Sequence, residues 1–156
     1  MNPFPTRKKN RLENYDYSLP GFYFITFCTE NRRCILGSIE ENADDAKICL
    51  SQLGKITQDA IERIPKSYSG VYVDSFVIMP NHVHMILVLQ DGFDQLPTIS
   101  RVVQQTKGLI SKRVGQRIWQ VHFHEHVIRG EQDYREIWEY IEQNPKRWML
   151  DRYYCE

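Results

Sequence analysis

The run Met79-Pro80-Asn81-His82-Val83-His84-Met85-Ile86-Leu87-Val88-Leu89 constrains this chain more than any other segment. After its Pro-Asn turn it is apolar and rich in branched residues, which is the pattern of a strand. Side chains on a strand alternate between faces, so His82 and His84 point the same way, about 7 Å apart along the strand. Two imidazoles at that spacing can share one metal ion. The strand is otherwise oily, so both histidines cost burial energy unless something satisfies them.

The remaining elements follow from hydrophobic period and punctuation. Phe22-Tyr-Phe-Ile-Thr-Phe-Cys28 is aromatic and β-branched and reads as a strand. Asn31-Arg32-Arg33 follows as a polar, basic turn. Ala46 to Ile64 has helical spacing, with Ile48, Leu53, Ile56, Ala60 and Ile64 near one face and Pro65 as its stop. Val71 to Ile78 is a strand that forms a hairpin with the histidine strand. Pro97-Thr98 opens a helix to about Val114, with Gly115 as its stop. Trp119 to Ile128 reads as a fourth strand. Asp133 to Gln143 is a last helix, ended before Pro145 because the residue preceding a proline avoids helical angles.

The order is therefore strand, helix, strand, strand, helix, strand, helix. That is the split β-α-β pattern of ferredoxin-like (RRM-like) α+β folds with one additional C-terminal helix. It predicts an antiparallel four-stranded sheet with helices on one face and the other face partly open. The first strand and the histidine strand should be central, with the histidines facing the last helix.

At 156 residues the chain reads as one domain, 1–156, with residues 1–14 as a flexible basic arm. Formal net charge is zero, so bulk basicity does not advertise a nucleic-acid partner. The distribution is uneven, however. Arg7, Lys8, Lys9 and Arg11 cluster in the arm, while Glu40, Glu41, Asp44 and Asp45 form an acidic loop. Arg101, Lys107, Lys112, Arg113, Arg117 and Arg129 face only Glu125 among acids in their stretch, a local electrostatic footprint. Cys28, Cys34, Cys49 and Cys155 lack C-x-x-C spacing and read as reduced thiols of a cytosolic protein. No apolar run approaches the roughly 18 residues that span a bilayer.

On the last helix, Tyr134, Ile137, Trp138 and Ile141 form the apolar stripe. Tyr140 sits at its edge, and Asn144 lies four residues on, on the same face. Taken alone, this is an edge tyrosine beside an Asn helix cap.

His-hydrophobic-His on a strand, together with Tyr-Ile-x-x-Asn-Pro on a late helix, resembles the HUH single-tyrosine transposases of small bacterial insertion sequences. It looks most like their REP-associated tyrosine transposases. The resemblance is carried by Gly21–Thr29, by Val77–His84, and by Phe123-His-Glu-His-Val-Ile-Arg129 followed by Tyr140-Ile-Glu-Gln-Asn-Pro145. It implies that His82 and His84 are metal ligands, that Tyr140 is the nucleophile, and that Asn144 is the third ligand. One amide oxygen and two imidazoles leave positions open for phosphate oxygens and water, as octahedral Mg²⁺ or Mn²⁺ requires. The implied activity is cleavage and rejoining of single-stranded DNA beside hairpins through a 5′-phosphotyrosine. Phenol is a fair leaving group, with a pKa of about 10, so rejoining needs no ATP. The DNA hairpin would be gripped by Arg101, Lys107, Lys112, Arg113 and the arm residues Arg7, Lys8, Lys9 and Arg11. The resemblance further implies a bacterial cytoplasmic protein, acting as a homodimer or a monomer, with no membrane partner.

Three rival readings are weighed against this one. His122, His124 and His126 also alternate on one strand face, and three histidines could hold zinc; a structural or substrate-contacting role ranks first for them. An RRM-like nucleic-acid-binding module without catalysis would need exposed aromatics on the central strands, for which Tyr23 and Phe27 are the candidates. A metal-independent two-histidine phosphodiesterase would need paired H-x-T or H-x-S motifs, and none occurs.

Overall fold

The structure, a computed structural model, describes Leu12 and residues 15–154. The arm cations Arg7, Lys8, Lys9 and Arg11 lie outside the described residues. The main sheet contains β1 (Gly21–Cys28), β4 (Val71–Met79), β5 (His82–Leu89) and β6 (His124–Val127), in the order β4-β5-β1-β6. Every neighbouring pair is antiparallel. The α+β, ferredoxin-like class is as expected, with β1 and the histidine strand β5 at the centre. The β1–β5 register pairs Thr26 with His84 and Cys28 with His82.

Strand alternation divides the sheet into two surfaces. Tyr23, Ile25 and Phe27 of β1 and Val83, Met85, Leu87 and Leu89 of β5 face the main core. That core is completed by Ala60 and Ile61 of α1 (Gln52–Glu62) and by Ile99, Val102, Val103 and Ile110 of α3 (Ile99–Val114). Phe24, Ile86 and Val88 face the other way, against Ile137 and Ile141 of α4 (Gly130–Gln143). All eight residues of β5 are buried. Its continuous apolar run is explained by cover on both faces, and the histidine face is more fully covered than expected. The same division removes the two aromatics named for the RRM-like alternative: Tyr23 and Phe27 lie under the helices, 0% and 1% exposed, and cannot stack on bases.

The helix boundaries follow their caps. Ser51 Oγ accepts from the backbone N–H of Gly54 at 3.1 Å and starts α1. Thr98 does the same for Arg101 and starts α3, and left-handed Gly115, at φ 87°, ends it. A one-turn α2 (Ile64–Ser67) follows α1 and tolerates Pro65 in its first turn.

The helix expected over Ala46–Ile64 is shorter than its period implied. Asp45–Leu50 is instead strand β3, paired with β2 (Gly37–Asn42) in a separate two-stranded sheet. Ile48 pairs with Ile39 there, so cross-strand packing overrides a helical period that the same residues also satisfy. The acidic residues Glu40, Glu41, Asp44 and Asp45 occupy the tip of this hairpin. The fourth strand is likewise shorter, His124–Val127, with Trp119 joined to Thr29 only by an isolated bridge.

Cys28 and Cys49 are free, whereas Cys34 is disulfide-bonded, so the reduced-thiol reading fails at Cys34. No helix among the described residues is long and apolar enough to cross a membrane.

Candidate active site

The site lies between the histidine face of the sheet, the C-terminal end of α4 and the 3₁₀ segment Pro145–Leu150 that follows it. Strand alternation aims His82 and His84 at this space, and their ring centroids are 4.6 Å apart. Both are buried, 0% and 2% exposed. The Nδ1 atom of each is engaged: His82 with Asn81 Oδ1 at 2.8 Å and His84 with Thr26 Oγ1 at 2.6 Å. The Nε2 atoms of both are buried without a hydrogen-bond partner. Orphaned polar atoms of this kind are uncommon in folded proteins, and a bound ion or water is one physical reason for them.

Asn144 is the last cap of α4 and is 1% exposed. Its Nδ2–H donates to the Tyr140 carbonyl at 3.3 Å, while its Oδ1 is buried without a partner. The helix-cap reading and the ligand reading of Asn144 are therefore compatible. Tyr140 is half-buried; its ring lies 5.1 Å from His84 and 6.3 Å from Phe24, both edge-on. The four residues singled out from sequence, His82, His84, Tyr140 and Asn144, thus meet in one place.

A fifth residue joins them that sequence reasoning missed. Asp151 Oδ2 lies 3.9 Å from His82 Nε2, and its side chain is 2% exposed. His82, His84 and Asp151 offer ligand atoms within 4.8 Å of one another, the one such His/Cys/Asp/Glu cluster among the described residues. Asp151 arrives through a chain reversal after Pro145, which brings Trp148 and Tyr153 over His82 at centroid distances of 6.1 and 4.4 Å. The sequence signal was an acid set between Trp148 and Tyr153, two aromatics that need burial.

Electrostatics follow from this enclosure. Burial pushes the His82 imidazole down to about 3, partly offset by the nearby Asn144 carboxamide. His84 is driven well below its ordinary value by burial and by His82 beside it. Both are thus neutral, the state in which imidazole binds metal. The His82–Asp151 approach is accordingly a proximity and not an ion pair. Burial raises the Asp151 carboxyl. Burial, then the Asp151 charge, pushes the Tyr140 phenol up to about 12.

Other sequence candidates separate. Tyr134 donates to Asp74 at 2.6 Å, and this bond, more than burial, pushes its phenol up to about 12. Trp138, expected on the buried stripe, is 42% exposed; the stripe turns to Ile137, Ile141 and the edge ring of Tyr140. His126 pairs with Asp133 at 2.8 Å, and His122 precedes β6, so the three alternating histidines form no common cluster. Lys107, expected on the DNA face, is 5% exposed and donates to the Gln120 and Val121 carbonyls at 2.7 and 3.3 Å. Burial, then Arg117, lowers it to about 8. Arg113 is engaged with Asp59 at 2.6 Å. Arg101 and Lys112 are exposed along one groove.

Fold and site together define an α+β protein with paired inward-facing imidazoles beside a helix-borne tyrosine. The chain is 35% identical to an uncharacterized protein of Haemophilus influenzae over 173 aligned positions, covering 96% of this chain and 94% of the relative. It is 34% identical over 74 residues to a REP-associated tyrosine transposase of Escherichia coli K12, covering 47% of this chain and 43% of that protein. Among solved structures, a REP-associated tyrosine transposase bound to a REP hairpin matches with TM-score 0.66 and 27% identity, over 88% of this chain and 74% of that one. A Deinococcus radiodurans R1 protein assigned to the transposases shares the fold at TM-score 0.51 and 19% identity, over 85% of this chain and 95% of that one. No protein-family model matches the chain. The chain is thus similar to REP-associated tyrosine transposases, over part of its sequence and in its fold.

Proposed function

We propose that this protein cleaves and rejoins single-stranded DNA beside hairpins through a 5′-phosphotyrosine on Tyr140. The observation that carries the reading is convergence. His82 Nε2, His84 Nε2 and Asn144 Oδ1 are buried without partners, on residues that gather beside one half-buried tyrosine. Two neutral imidazoles, an amide oxygen and the Asp151 carboxylate suit a divalent cation such as Mg²⁺ or Mn²⁺, the carboxylate adding the hard oxygen those ions favour. A bound ion would supply positive charge at the scissile phosphate and offset the burial that holds the Tyr140 phenol up.

The chain's own residues account for the rest. Phe24 and His84, stacked on each other at 5.4 Å, both meet the Tyr140 ring edge-on. In the reaction, Tyr140 Oη forms a bond to phosphorus and loses its proton. The bond from phosphorus to the 3′-oxygen breaks, and that oxygen takes up a proton to leave a free 3′-hydroxyl. Reversal by a 3′-hydroxyl restores the tyrosine, and the phosphotyrosine conserves the bond energy. His82, His84, Asp151, Asn144 and Tyr140 all come from one chain, so a second copy is not needed to complete the site. We read residues 1–156 as one domain. A hairpin substrate is supported by the related structure's bound REP hairpin. Arg101 and Lys112, both exposed along one groove, would meet its phosphates, while Arg113, also exposed, is held by Asp59.

End-labelled single strands carrying a hairpin, incubated with Mg²⁺ or Mn²⁺ and run on denaturing gels, test the reading. The expected result is a protein-linked fragment that disappears in chelator and is absent with plain duplex. Equal cleavage of duplex, or cleavage undiminished by chelator, overturns it.

A further inference from the structure

Asn81 stands one residue before His82 and is 1% exposed. From sequence it was a turn residue only. Its carboxamide has two ends, and the structure presents each with a different environment. One end faces two backbone carbonyl oxygens, those of Tyr153 at 2.6 Å and Arg32 at 3.3 Å. Carbonyl oxygens can only accept hydrogen bonds. The NH₂ end must therefore point at them, and the orientation of the amide is decided without reference to the histidine. The other end, Oδ1, then faces His82 Nδ1 at 2.8 Å. An amide oxygen can only accept, so His82 Nδ1 must carry the proton. In a neutral imidazole the second nitrogen is then bare. The lone pair of His82 thus sits on Nε2, the atom that is buried without a partner beside Asp151.

His84 has no such constraint. Its Nδ1 meets the Thr26 hydroxyl at 2.6 Å, and a hydroxyl can donate or accept. The two histidines are therefore held by partners of different kinds: one partner dictates the tautomer and the other permits both.

We infer that Asn81 is a positioning residue that fixes His82 as the Nδ1–H tautomer and links that state to the backbone of the C-terminal segment through the Tyr153 carbonyl. The inference takes the metal-holding role of His82 from the proposed function, but the tautomer itself stands independently of it. Outer partners that orient a ligating histidine typically change metal affinity about 10–100-fold when removed.

Long-range ¹H–¹⁵N NMR on histidine-labelled, metal-free protein at pH 8 reads the tautomer directly. The wild type should show His82 protonated at Nδ1. Asn81→Asp retains the acceptor oxygen toward His82 and should keep that tautomer, while losing the donor to the Tyr153 and Arg32 carbonyls and lowering thermal stability. Asn81→Ala should give a mixture of tautomers at His82 with the His84 signals retained, and Mn²⁺ affinity measured by calorimetry should fall about 10–100-fold. A wild-type His82 protonated at Nε2 overturns the inference, and so does an Asn81→Ala protein with unchanged tautomer and unchanged affinity. The wild-type measurement needs no variant, so a failure of Asn81→Ala to fold leaves the decision with it and with Asn81→Asp. A correct tautomer in a protein that binds no Mn²⁺ would overturn the proposed function and leave the Asn81 assignment standing.

Discussion

Acid should destabilise this protein through His82, in a pH window that its surroundings define. Burial holds the folded imidazole down at about 3, against an ordinary value of 6.5. Between those values the unfolded chain takes up a proton that the folded chain refuses. Unfolding is then favoured as pH falls, so the stability that His82 supports is complete above about 6.5 and is lost progressively toward about 3. Each pH step of one below 6.5 is worth about 1.4 kcal/mol, giving about 2 kcal/mol at pH 5 and at most about 5 kcal/mol at the bottom of the window. A domain of this size has only about 5–15 kcal/mol in total. Asp151 acts in the opposite sense, because burial raises its carboxyl and charging it in the fold costs stability as pH rises. The comparison must cancel that effect. Urea unfolding followed by tryptophan fluorescence, in chelator, at pH 7.5 and pH 5, should be run on wild type and on His82→Gln. Wild type should lose about 2 kcal/mol more than the variant over that interval. Equal losses in the two proteins would mean that His82 is not held neutral by burial, and the electrostatic account of the site would fail with it.

Tyr140→Phe should abolish the covalent DNA adduct on denaturing gels while leaving the fold intact, since the ring contacts to Phe24 and His84 survive. Tyr134→Phe should retain the adduct; an adduct from the first variant and none from the second would reverse the assignment. Arg101→Ala with Lys112→Ala should weaken hairpin binding and flatten its salt dependence by about two phosphate contacts, whereas Lys107→Met should leave that slope unchanged and lower thermal stability, because the buried Lys107 ammonium serves two backbone carbonyls. Gly54→Ala should cost more than about 2 kcal/mol in urea unfolding, because its new methyl would sit 2.0 Å from the Leu36 carbonyl oxygen; a cost below about 0.5 kcal/mol would show that the α1 approach is looser than described.

Elements whose hydrophobic period has one solution were legible in the sequence. The strands β1, β4 and β5 and the helices α3 and α4 were placed within a few residues. The β2–β3 hairpin was not, because Ile48 and its neighbours satisfy both helical and strand spacing and the partner strand is largely polar. His82, His84, Tyr140 and Asn144 could be singled out because each sits in a local motif. Asp151 could not, since its place depends on a reversal after Pro145 that brings distant residues together. Lys107 was misassigned to the DNA face although it lies between Val103 and Ile110 on the buried stripe of α3. A cation on an apolar stripe is satisfied by carbonyls more readily than by solvent.

The site draws on Thr26, His82, His84, Tyr140 and Asp151, so its members span nearly the whole described chain. A ribosome delivers them in that order, at about 5–20 residues per second. A nascent chain that has emerged only as far as β5 lacks the α4 and C-terminal cover for Phe24, Ile86 and Val88. Such a chain carries an apolar sheet surface open to wrong partners, and its two imidazoles have no tyrosine beside them. Interrupted synthesis therefore yields aggregation-prone fragments that lack Tyr140 and Asp151.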